Sequence, residues 1–211
     1  MKKSLKKTGA LAATSALAIA ALISAPAAQA EEGNTSLAEV LEVGSASFDK
    51  NSGDFDILTK AAEAVLEANP DSDVALLADG DTALTVFAPT DRAFLNLASA
   101  LTGHSVKSES AAFDAVASLG IDTVETVLLY HVIPGATITS EDALKSNGAV
   151  LATAAPDKNT KVLVSDAPSI RLRDYAPKFK NARVILDLVD VNEGNKQIAH
   201  GVNAVMLPFA P

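Results

Sequence analysis

Thr85-Val86-Phe87-Ala88-Pro89-Thr90-Asp91-Arg92-Ala93-Phe94 decides how this chain folds. Ala83 to Ala88 reads as a buried strand, and Pro89, which has no N–H to give to a ladder, ends it. Thr90 then stands at a helix N-cap position, and Asp91 puts a negative charge in the first turn, where the helix dipole favours it. Phe94, Leu97, Ala98 and Leu101 recur at helical spacing and mark one apolar face. A strand thus runs straight into an amphipathic helix.

Helical texture dominates around this junction. Upstream, Leu58, Ala61, Ala62, Val65 and Leu66 follow the i, i+3, i+4 pattern, and Asn69-Pro70 stops it. Before that helix, residues 45–56 are rich in Asp, Ser, Asn and Gly and read as a loop ending in a cap. A short helix is expected over Leu37 to Val43, after a polar leader from Glu31 to Ser36. Asn34-Thr35-Ser36 matches a glycosylation sequon, and the match reads as accidental. Downstream, helices are expected over about 110–118 and from about Asp122. The second carries Val124, Val127, Leu128 and His131 on one face and closes at Pro134-Gly135.

Past Gly135 the pattern changes to strands separated by turn residues. Val150 to Ala152, Lys161 to Val164, Ile170 to Leu172, Arg183 to Val191 and His200 to Leu207 are the candidates. The alternation slips near Leu188-Val189, marking a bulge or strand end. Helices first and strands later give an α+β class rather than alternating βαβ units. The strand at Ala83 has to find its partners among the late ones.

Lys2, Lys3, Lys6 and Lys7, an apolar run from about Ala10 to Ile23, and Ala28-Gln29-Ala30 form an export signal with a small-x-small cleavage site. Residues 1–30 are therefore read as a removed signal peptide. Of the 17 basic residues four fall in that segment, which leaves 13 basic against 26 acidic residues and a net charge of about −13, against −9 for the whole sequence. Such a field repels phosphate backbones and anionic lipid heads, so no nucleic-acid partner and no membrane insertion after cleavage are expected. The absence of cysteine excludes disulfides, thiolate nucleophiles and lipidation at an N-terminal cysteine. Stability has to come from a packed core.

Thr85 to Phe94, Leu128-Leu129-Tyr130-His131-Val132-Ile133-Pro134-Gly135 and His200-Gly201-Val202-Asn203-Ala204-Val205-Met206-Leu207-Pro208, in this order, resemble the two boxes and the Tyr-His motif of the fasciclin (FAS1) domain family. The lead-in Asp54 to Leu58 also matches, and Asn181-Ala182-Arg183-Val184 looks like a strand that many secreted microbial members carry. The second box departs from the family pattern. Lys196-Gln197 stand where Asn-Gly is common, and Ala199 replaces a large aliphatic residue. The resemblance implies a β-sandwich wedge with helices packed across one end. The chain then divides into a signal peptide (1–30), a leader with a short helix (31–53) and a fasciclin-like domain (54–211).

Thr90, Asp91, Tyr130, His131 and His200 are the candidate interaction or core-motif residues. In the family the Tyr-His position is linked to cell-surface receptor binding. On the residues alone, His131 shares an inward helical face and needs a polar partner, for which the Thr90-Asp91 cap is the expected one. Tyr130 is expected to pack with its hydroxyl bonded at the rim, His104 to be exposed, and His200 to be half-buried in a strand. Asp49 to Asp56 has oxygen ligands at alternating positions like a calcium loop. It has Asp54 where that loop needs glycine and Lys60 where it needs glutamate, so a solvated loop is expected. No metal, cofactor or catalytic residue is assigned. The Gly-x-Ser-x-Gly, His-Glu-x-x-His and phosphate-loop patterns are missing from the sequence.

The expected function is a secreted, non-catalytic adhesion or matrix-interaction module binding an extracellular protein or glycan. The acidic balance favours basic or neutral partners, or acidic glycans bridged by a divalent cation. The alternative is a carrier of an apolar small molecule such as a carotenoid, with Phe87, Phe94, Leu128 and Met206 as lining. A hydrolase with a Ser-His-Asp triad assembled by folding is a minor third reading. Oligomeric state and partner identity are left open.

Overall fold

A computed structural model describes residues 33–42, 47–165 and 169–210. The chain divides into two compact units, Met1–Glu31 and Glu32–Pro211. The first, with the expected signal peptide, lies outside the described residues.

The second unit is an α+β fold. Its first half carries α1 (Leu37–Glu42), α2 (Asp56–Ala68), a 3-10 turn (Asp73–Ala78), β1 (Leu84–Pro89), α3 (Asp91–Thr102), α4 (Glu109–Ala117) and α5 (Ile121–Tyr130). Then follow β2 (Val132–Pro134), α6 (Ser140–Lys145), β3 (Val150–Ala152), β4 (Asn159–Ser165), β5 (Ser169–Arg173), β6 (Ala182–Arg183), a 3-10 turn at Leu186–Leu188 and β7 (Gln197–Val202). Two sheets form, one ordered β2-β1-β7 and one ordered β3-β4-β5-β6.

The early strand does close on the late ones. β1 runs parallel to β7, with Leu84 opposite Gln197 and Pro89 opposite Val202, and antiparallel to β2. Every residue of β1 and β7 is buried, as expected for a strand covered on both faces. Thr85, buried among them, donates its hydroxyl to the Ala136 carbonyl at 2.8 Å and accepts from Ile138 N–H at 2.8 Å. One threonine thus fixes the loop beyond β2.

Several boundaries differ from expectation: the strand expected over His200 to Leu207 runs instead over Gln197–Val202. The helix that should have closed at Pro134-Gly135 ends at Tyr130, with His131 as its C-cap, and Val132-Ile133 joins the sheet. The β-branched pair fits a pleated strand better than a last helical turn. Of the run from Arg183 to Val191 only Arg183 lies in a strand, β6, with Val184 and Val191 in isolated bridges on either side of the turn at Leu186–Leu188, where the alternation slips.

Gly201 sits where a backbone has to pass close to a side chain. A Cβ built there would stand 2.7 Å from Leu188 Cβ. Gly201→Ala is therefore expected to lose roughly 1–3 kcal/mol by overpacking, read as a lowered urea midpoint with an unchanged m-value.

Candidate functional site

The five motif residues are absorbed by the fold to different degrees. Thr90 occupies the N-cap of α3, yet its side chain makes no capping bond. Loop 52–54 does that work: its carbonyls at Asp54 and Ser52 accept from Asp91 N–H at 3.0 Å and Arg92 N–H at 2.9 Å. The helix-end donors are satisfied by backbone from a distant loop, which no local capping rule can foresee. Asp91 is wholly buried, and its Oδ1 accepts from Ile57 N–H at 2.9 Å. Burial raises the Asp91 carboxyl to about 8, the Asp54 and Glu109 carboxylates nearby push the same way, and the Ile57 bond partly opposes them.

His131 does not meet the Thr90-Asp91 cap. Its Nδ1 lies 2.7 Å from the Val127 carbonyl, which can only accept, so Nδ1 carries the proton. Its Nε2 then accepts from Met206 N–H at 2.9 Å. The ring is a rivet between α5 and the segment after β7. His200 is wired with the opposite tautomer: Nε2–H donates to the Ile138 carbonyl at 2.8 Å, and Nδ1 accepts from Asp190 N–H at 3.2 Å. It is 1% exposed, buried rather than half-buried, because the 184–191 segment covers β7. Tyr130 is buried and donates its hydroxyl to the Asn159 carbonyl at 2.8 Å. His104 is exposed.

Ser140, Asp190 and His200 do come together. The Ser140 hydroxyl donates to Asp190 Oδ2, and Ser140 N–H donates to Asp190 Oδ1 at 2.8 Å. A triad needs the imidazole to take the serine proton. Here the serine is bonded to the carboxylate, and both ring nitrogens are engaged with backbone groups. That wiring gives the hydroxyl no base.

Loop 49–56 is not simply solvated. It lies over the first turns of α2, α3 and α4, whose leading residues Asp56, Asp91 and Glu109 are all buried. Asp49 N–H donates to Glu109 Oε2 at 2.6 Å, and Asn51 Nδ2 donates to Asp54 Oδ2 at 2.9 Å. Burial raises the Glu109 carboxyl above its usual range, with Asp49 N–H opposing.

A cleft of about 810 Å³ lies between α3 and the β5–β6 edge. Ala93, Leu97, Phe179 and Val205 form its apolar part, and Arg171, Lys178, Lys180 and Arg183 supply its charge. Among the described residues no carboxylate lines it. Among the described residues none of these four cations forms an ion pair. Arg171 and Arg183 are also direct cross-strand partners, an arrangement that costs stability through like-charge repulsion. Asn203 holds the Arg183 backbone from both sides, accepting from Arg183 N–H at 2.9 Å and donating its own N–H to the Arg183 carbonyl at 3.0 Å.

An acidic chain thus carries a basic cleft, a local charge that the net charge does not reveal. Phe87, Phe94, Leu128 and Met206, the expected lining of an apolar carrier, are all core residues. They line neither this cleft nor the smaller one of about 80 Å³ between α1 and α2. Among the described residues no helix is long and apolar enough to cross a membrane.

The fasciclin domain model matches residues 57–208. Among solved structures, a FAS1 domain pair from the insect cell adhesion molecule fasciclin I is similar, with a TM-score of 0.51 and 17% identity. The alignment covers 72% of this chain and 47% of that one, so the chain spans about half of the pair. No curated protein matches. With both boxes, the Tyr-His helix end and the α+β arrangement in place over the matched span, the chain belongs to the fasciclin domain family.

Proposed function

We propose that the protein is an exported adhesion module that holds an acidic extracellular polymer in the cleft between α3 and the β5–β6 edge. The observation that carries this is the set Arg171, Lys178, Lys180 and Arg183, four cations without a carboxylate partner among the described residues of an otherwise acidic molecule. Proteins rarely leave like charges directly opposite on paired strands unless something else compensates. An anionic ligand does so, and the net negative surface around it excludes loosely bound polyanions. Phe179, Leu97 and Val205 offer an apolar floor against which a sugar ring can lie. The family's association with cell adhesion and the export signal agree with this role.

The test is retention of the purified protein on an immobilised polyuronate, compared with a neutral polymer of similar size. Retention is expected on the acidic matrix alone and is expected to weaken as salt rises. Arg183→Glu should lower affinity on the order of tenfold. Its stability should hold or rise slightly, because it turns the Arg171–Arg183 repulsion into an opposite-charge pair. Equal retention on both matrices, or an Arg183→Glu protein that binds like the parent, would show that the cleft is not the binding surface. Retention abolished by EDTA would instead assign binding to a bridging cation.

A further inference from the structure

Three helices begin at one point, and each begins with an acid. Asp56, Asp91 and Glu109 open α2, α3 and α4 at 0%, 0% and 3% exposure, and Asp49 and Asp54 close over them from the loop. Asp54, Asp56 and Asp91 each bring a carboxylate oxygen within 4.8 Å of the other two, and Asp49, Asp56 and Glu109 do the same. Asp56 is common to both trios.

The backbone meets only part of the demand. Asp91 Oδ1 has Ile57 N–H, but among the described residues Asp91 Oδ2, inside a wholly buried residue, has no donor, and neither has the buried Oδ1 of Asp54, the carboxylate that faces Asp91. No described Lys, Arg or His forms an ion pair with Asp49, Asp54, Asp91 or Glu109. Helix N-termini supply about half a positive charge each, which offsets some of the repulsion but completes no coordination. Buried carboxylates with vacant lone pairs are neutralised by protons or by a cation.

We propose that Asp54, Asp56 and Asp91 form a site for one hard divalent cation of the calcium or magnesium class. Waters complete its shell, and the Asp49–Glu109 pair adjoins it. Ligand oxygens about 2.3–2.6 Å from a calcium ion lie no more than about 5 Å apart, a limit both trios meet. The donors are all oxygen, which disfavours zinc and copper. Asp49 is exposed and Asp54 half-buried, so the ion has an entrance on the loop side. A bound ion would tie loop 49–56 to three helix starts.

The experiment is titration of the EDTA-stripped full chain at pH 7.5 with calcium and, separately, magnesium, followed by thermal unfolding and calorimetry. One ion per chain is expected, with a rise in Tm of roughly 3–8 °C at saturation. Asp91→Asn keeps an acceptor for Ile57 N–H and removes a ligand, so it should fold and lose the response. Asp54→Asn, on the half-buried loop, should weaken binding at least tenfold and covers the case in which Asp91→Asn fails to fold. No heat and no Tm shift in the parent overturns the proposal. So does a shift that both variants retain, which would be diffuse surface acidity. A parent that ignores both cations and loses stability as pH rises toward 8 would show that a proton, not a cation, neutralises the cluster.

Discussion

Replacing His131 with leucine lowers stability by about 3–5 kcal/mol at pH 7. The substitution leaves the Met206 N–H without its acceptor and the Val127 carbonyl without its donor, in a site where His131 is 1% exposed. Leucine matches the volume, so the loss reports the polar contacts more than a cavity. The pH dependence supplies an internal check. Burial pulls His131 down to about 4 from its usual 6.5, with the Val127 bond partly opposing. Between those values the unfolded chain takes up a proton that the native state refuses. The contribution of His131 is therefore full above about 6.5 and declines as pH falls toward 4, by roughly 1.4 kcal/mol per unit. His200 is depressed by burial in the same direction. Asp91, raised, works the opposite way and adds stability as pH falls.

The parent curve alone thus mixes signs, and the informative quantity is parent minus variant. Urea midpoints at pH 7 and pH 5 should show the gap between parent and His131→Leu narrowing by about 2 kcal/mol. A gap that stays constant would mean that His131 titrates normally and is not buried as a neutral rivet.

The strand–helix junction at 85–94 was legible in the sequence because its signals are local: an apolar run, a proline and a helical repeat. The inward face of His131 was legible for the same reason, since i, i+3 and i+4 spacing puts it with Val124, Val127 and Leu128. Its partner was not. Met206 lies 75 residues away, and a bond to a backbone N–H leaves no mark on residue identity. The Thr90 cap failed on the same ground, because loop 52–54 offers its carbonyls through tertiary contact.

The two candidate sites were hidden differently. The cleft draws Arg171, Lys178, Lys180 and Arg183 from β5, a turn and β6, and a net charge averages them into an acidic total. The carboxylate cluster shows only in part in Asp49 to Asp56, which breaks the spacing of a calcium loop. That spacing describes a site closed within one segment. Here Asp91 and Glu109 come from the starts of other helices.

Gln197 carries the second large expected effect, at the position where the second box departs from the family pattern. Its side chain is wholly buried, and its amide is fully employed. Oε1 accepts from Leu37 N–H at 2.7 Å, and Nε2 donates to the Leu76 and Asp79 carbonyls at 2.8 and 2.7 Å, with Thr82 O further off at 3.3 Å. One side chain thus joins β7 to the start of α1 and to the 3-10 turn before β1. The leader is stitched to the same place by Gly33 N–H to Gly194 O, Lys196 N–H to Gly33 O, and Thr35 N–H to Asn195 Oδ1. Glycine at 197 could serve a tight turn but could make none of the three side-chain attachments. Gln197→Leu should therefore cost about 3–5 kcal/mol, since it strands the buried Leu37 N–H and two carbonyls in an apolar setting. Gln197→Glu separates the donor from the acceptor role. Ionised, it still accepts from Leu37 but turns a carboxylate toward three carbonyl oxygens; protonated, it regains one donor. Its deficit should match or exceed that of Gln197→Leu at pH 8 and shrink toward pH 5. In both variants, protease cleavage within 33–42 should precede global unfolding. Cleavage there at the parent's rate, or a Gln197→Glu deficit independent of pH, would mean that the leader is held by the Gly33–Gly194 stitch and not by this amide.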